Sequence, residues 1–126
     1  MITLGTSLTQ EKLIRHNDSA AALGSGTLEV LATPAMIAFM ENTAYKCIQN
    51  MLEEDTTTVG VEINAKHIKA SRIGDAISCK ATVVEVEGKR IRFEIEAHDS
   101  TALIGTATHD RFIVNEEKFM NKIHNS

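Results

Sequence analysis

Ala32-Thr33-Pro34-Ala35-Met36-Ile37-Ala38-Phe39-Met40-Glu41-Asn42-Thr43-Ala44-Tyr45-Lys46-Cys47-Ile48-Gln49-Asn50-Met51-Leu52 reads as the one long helix of the chain. Thr33 suits an N-cap. Pro34, the only proline, suits the first helical position, where a missing N–H costs nothing. The pattern carries the helix to about Glu53, where Glu53-Glu54-Asp55 closes it against the helix dipole. With Glu41 at zero and 100° per residue, Ile37, Ala38, Ala44, Tyr45, Ile48 and Leu52 all fall within about 60° of it. A carboxylate thus sits in an apolar stripe, where a charge needs a partner or a purpose.

Outward from the helix, Thr3 to Gln10 suggests an edge strand, and Gly24-Ser25-Gly26 a flexible loop. From Thr56 the period becomes two. Thr57, Val59, Val61, Ile63, Ala65 and His67 share one face, with Thr58, Gly60, Glu62, Asn64, Lys66 and Ile68 on the other. That phase points His67 at whatever covers the apolar face. Ser71 to Asp75 reads as a turn, and Ala76 to Val86 as a second strand with Ile77, Cys79, Ala81 and Val83 inward and a bulge near Val83-Val84. Glu87-Gly88-Lys89 is a hairpin signal. Ile91, Phe93, Ile95 and Ala97 then alternate with Arg90, Arg92, Glu94 and Glu96. Leu103 to Val114 makes the last strand, and Glu116 to Ile123 a short terminal helix anchored by Phe119. One long helix followed by four strands, joined largely as antiparallel hairpins, is an α+β pattern. A sheet wrapped around a central helix is the hotdog arrangement, here expected as a single domain over residues 1–126. One helix covers only one face, so a second copy of the chain is expected on the remaining apolar surface, giving a homodimer.

At 126 residues and 43% hydrophobic composition, the chain suffices for one core. A net charge of −4 offers no positive field to draw phosphates, which excludes nucleic acid as a general partner. No run of 18 apolar residues is present to span a membrane. Met1 to Gln10 lacks the basic-then-apolar pattern of a secretory signal, so a cytoplasmic protein is expected. Cys47 and Cys79 have neither zinc spacing nor a disulfide framework and read as two buried thiols. A metal held by Glu41, His67 and His109 would lack close ligand spacing, and none is expected.

Four pieces of sequence belong together. They are Ala32-Thr33-Pro34, Glu41 eight positions after Thr33, Val59-Gly60-Val61-Glu62-Ile63 leading to His67, and Ile104-Gly105 followed by Thr108-His109-Asp110-Arg111. Their order and spacing resemble the fluoroacetyl-CoA thioesterase family of hotdog acyl-CoA thioesterases, over roughly Thr27 to Phe119. The resemblance implies that Thr33, Glu41 and His67 form the catalytic group and that Gly60 and Arg111 approach the substrate. That substrate would be an acyl-CoA, with CoA part of it and no separate cofactor. Fluoroacetyl-specific members close the pocket with aromatic residues ahead of the helix, whereas Asp18 to Leu31 holds no aromatic residue here. Thioester hydrolysis without selectivity for fluoroacetyl is the resulting expectation.

Hydrolysing a thioester requires a base or nucleophile, a partner for the oxyanion and a means of releasing the thiolate. Glu41 would be the base or nucleophile. His67 would orient the reacting group or protonate the thiolate, and Thr33 would position Glu41 or the thioester oxygen. Eight helical residues separate Thr33 from Glu41 by about 12 Å along the axis, so substrate or water bridges them, or the site draws on two subunits. Asp110 falls on the opposite face from His109 and Arg111, which argues against a local triad. The competing readings are structural: Glu41 in an ion pair with Lys66, Lys69 or Arg111, Thr33 as a plain cap, and His67 as a core histidine. Two other functions use the same residues, a hotdog hydratase or dehydratase and a non-catalytic acyl-CoA binding module.

Overall fold

In the computed structural model, which describes Met1–Ser126, the chain runs β1 (Ser7–Leu13), α1 (Ala20–Leu23), α2 (Thr33–Gln49), β2 (Thr56–His67), β3 (Ala76–Glu87), β4 (Arg90–His98), β5 (Leu103–Asn115) and α3 (Glu116–His124). The strands form one antiparallel sheet in the order β1-β3-β4-β5-β2. Helix α2 lies on one face of it and contacts all five strands. Inward residues of β3 and β4 (Ile77, Cys79, Ala81, Val83, Ile91, Phe93, Ile95 and Ala97) meet Met36, Met40, Ala44 and Ile48 of α2 in the core. The bulge expected in β3 falls between Val83 and Glu85.

Topology departs from a chain of hairpins at one place. β2 pairs with β5, not with β3, and β1 supplies a fifth strand at the far edge. Ser71-Arg72 does not fold β3 back on β2, because its backbone is taken by the segment before α2. Leu31 N–H donates to Ser71 O at 2.9 Å, and Val30 bridges Arg72. The connection from β2 therefore crosses to the other side of the sheet.

Helix α2 begins one residue earlier than expected. Ala32, in extended conformation, is the N-cap, and Thr33 is the first helical residue with its hydroxyl not used for capping. The helix ends at Gln49, whose side-chain amide donates to Thr56 O at 2.9 Å and accepts from Thr57 Oγ1 at 2.8 Å. Glu53-Glu54-Asp55 accordingly lies in the following loop, where Asp55 has φ 67°, and does not oppose the dipole. The face of α2 that enters the core is Met36, Met40, Thr43, Ala44, Cys47 and Ile48. Apolar residues occupy most of the helix circumference, so periodicity allowed two overlapping stripes. Glu41 sits half-buried on the flank of the true one.

Candidate active site

The candidate residues lie on three elements, the flank of α2 and the inner faces of β2 and β5. Between Gly60 and Glu62 the register of β2 on β5 shifts by a bulge. Val61 is the residue it expels, 57% exposed. Strict alternation put Val59 and Val61 on the face of His67 and sent Thr58 and Gly60 to the other. The bulge corrects this: Thr58 and Gly60 face α2 before it, and Ile63, Ala65 and His67 face the same way after it.

His67 meets the start of α2. Thr33 Oγ1 and His67 Nδ1 are 2.8 Å apart, and Nε2 is shielded from solvent with no protein partner. Burial pulls the imidazole pKa below its ordinary value, with the Lys69 backbone opposing in part, so the ring is neutral near pH 7. A hydroxyl donating to Nδ1 leaves the proton on Nε2, which then presents an N–H. An open pocket of about 340 Å³ adjoins the pair, lined among others by Ala20, Ser25, Val30 and Ile68.

A second cluster forms one helical stretch away. A β-carbon added to Gly60 would stand 3.2 Å from Glu41 Oε2, 3.2 Å from His109 Cε1 and 3.4 Å from Arg111 Nη1. Glycine thus lets a carboxylate, an imidazole and a guanidinium converge on bare backbone. Arg111, 8% exposed, donates from Nε to Thr58 Oγ1 at 2.7 Å, from Nη2 to Thr58 O at 2.9 Å, and from Nη1 toward His109 Nε2 at 3.1 Å. All three acceptors are neutral, and Arg111 makes no salt bridge. Glu41 makes none either. Lys69 is bound to Asp99 at 2.7 Å, and Lys66 is exposed on the outer side of β2.

Of the residues singled out by sequence, Thr33 and His67 therefore meet, and Glu41, Gly60 and Arg111 meet, with about 12 Å of helix between the two groups. Asp110 faces outward as alternation required, clamped by Arg92 at 2.8 and 3.0 Å, which holds its carboxyl below the usual range. Two members of the second cluster went unassigned. Thr58 was lost to the bulge. His109 was legible, since alternation in β5 places it on the face of Arg111.

Sheet order and helix placement define the hotdog fold. A thioesterase superfamily member from Thermus thermophilus superposes with TM-score 0.92 at 24% identity, over 99% of this chain and 93% of that one. The solved fluoroacetyl-CoA thioesterase FlK superposes with TM-score 0.95 at 26% identity, over 100% of this chain and 98% of its own. Variant forms of FlK have been solved with acetyl-CoA and with fluoroacetate and CoA. The fluoroacetyl-CoA thioesterase of Streptantibioticus cattleyicolor is 33% identical over 112 residues, 89% of this chain and 81% of that protein. Residues 14–117 match the family described as fluoroacetyl-CoA-specific thioesterase. The chain belongs to that family. It is a thioester hydrolase, and its class of reaction is the hydrolysis of acyl-CoA thioesters.

Proposed function

We propose that Glu41 supplies the electron pair for acyl-CoA hydrolysis, assisted by Thr33 and His67, with Gly60 and Arg111 contacting the substrate. The observation that carries this reading is the Glu41 carboxylate lying over Gly60 beside a buried guanidinium that has no carboxylate of its own. As base, Glu41 takes a proton from water as the oxygen attacks the thioester carbon. As nucleophile, it attacks that carbon itself, and water cleaves the resulting anhydride. In both cases negative charge gathers on the carbonyl oxygen, and the C–S bond then breaks to release CoA thiolate. The Nε2–H of His67, set by Thr33, donates a hydrogen bond to the reacting group.

The separation of the two clusters favours a site shared between two copies of the chain. β2 is a 12-residue edge strand with one side unpaired, and Val61 and the flank of α2 lie beside it. A second copy against that edge would join the Thr33–His67 pair of one protomer to the Glu41 cluster of its partner. Thiol release from a panel of acyl-CoAs tests the activity. Glu41→Gln is expected to fold normally and lose about a hundredfold or more in kcat, the scale of a positioned general base. Near-parental turnover in the folded variant rejects the assignment. Consumption of an unsaturated acyl-CoA without thiol release supports a hydratase instead.

A further inference from the structure

We propose that His109 is a positioning residue for Arg111, a neutral acceptor that aims the buried guanidinium at the space between Glu41 and Gly60 without compensating its charge. The proposal rests on the thioesterase reading above and adds a residue to it.

His109 is 1% exposed and its ring is held at both nitrogens. Nδ1 lies 2.7 Å from Glu62 O, a carbonyl at the β2 bulge that can only accept, so Nδ1 carries the proton. Nε2 is then a lone pair, and Arg111 Nη1 donates to it at 3.1 Å. A cationic imidazole would have no lone pair to offer and would set two positive charges in contact. The geometry therefore fixes both the tautomer and the charge of His109. With Thr58 taking two more N–H groups, three of the five guanidinium donors are spent on neutral atoms and two are left. A carboxylate at position 109 would hold Arg111 as firmly, but would also cancel its field and compete with the oxyanion of the reaction. Imidazole supplies direction alone.

Three substitutions separate direction from charge. His109→Gln offers an amide oxygen near the place of Nε2 and should keep kcat within about threefold. His109→Leu removes the acceptor and should lower kcat about tenfold. His109→Glu adds the counter-charge and should lower it about a hundredfold, the scale of losing one oxyanion donor. KM should stay within about threefold throughout, because the guanidinium acts on charge that develops in the transition state. Equal losses in all three variants, parental kcat in the Leu and Glu variants, or a change confined to KM overturns the proposal.

Nitrogen-15 NMR of the unsubstituted protein reads the same arrangement without any variant. His109 should show a single Nδ1–H tautomer and be less than half protonated at pH 6.5, the ordinary histidine midpoint. Burial and Arg111 oppose protonation, against the Lewis-basic Glu62 carbonyl, Glu41 on α2 and Asp110 on β5, which favour it. An Nε2–H tautomer, or a ring mostly charged at that pH, overturns the proposal. If the parent protein releases no thiol from any acyl-CoA, the thioesterase reading falls, and the NMR result still decides the state of His109.

Discussion

At Gly60 an added β-carbon would meet Glu41, His109 and Arg111 at 3.2 to 3.4 Å, closer than side chains ordinarily pack. Its φ does not require glycine, so the cost of a methyl group there is borne by the site and not by the backbone. Gly60→Ala is accordingly expected to lower kcat/KM about tenfold or more by displacing the carboxylate or the guanidinium, while the melting temperature stays near that of the parent. Parental kcat/KM in that variant would show that the reaction does not use this convergence. Glu41 is legible from its place in the apolar stripe of the helix, whereas Gly60 and Arg111 are reached only through the family's spacing. Periodicity alone put Gly60 on the wrong face and left His109 without a role. A glycine carries no side chain to reveal its environment, and a histidine on an inner face is as common in packing as in chemistry.

Among the elements, the start of α2 and the segment ahead of it wall the pocket beside Thr33 and His67. Freed from capping, the Thr33 hydroxyl binds His67, and Ala32 takes the cap position by backbone geometry alone. Nothing local distinguishes the two arrangements, because the competing acceptor lies 34 residues away. The wall before the helix was legible: Ala20, Ser25 and Val30 line the pocket beside Thr33, and none is aromatic. Small aliphatic walls discriminate acyl groups by about 1–3 kcal/mol per methylene-sized difference. Fluoroacetyl-CoA is thus expected to be preferred over acetyl-CoA by less than about a thousandfold in kcat/KM. A larger ratio, measured side by side, would locate selectivity outside this wall.

For the molecule as a whole, the buried His109 and the half-buried His67 set an acid limit to stability. His67 and His109 both have folded pKa values below the ordinary 6.5. The unfolded chain therefore takes up protons from about pH 6.5 downward while the folded chain does not, and stability falls as pH falls through that window. Asp99 and Asp110, held below 3.8, add a separate loss only at much lower pH. Melting temperatures should decline between pH 7 and pH 5, and a flat profile would contradict two neutral imidazoles in the folded chain. Light scattering at micromolar concentration should give twice the 13.8 kDa of one chain, and a monomer mass would refute the shared site. The sandwich of one helix on one sheet was legible from alternation, whereas the strand order was not, since β2 finds β5 across long sequence separation. The bulge at Val61 also makes the length of β2 part of its information. Seven positions separate Gly60 from His67, an odd number, and the two share a face only because one residue is discarded between them. Deleting Val61 would leave six positions between them, an even number, so a regular strand without the bulge would still carry both on one face. A second deletion between them would leave five, an odd number, and would set glycine and histidine on opposite faces.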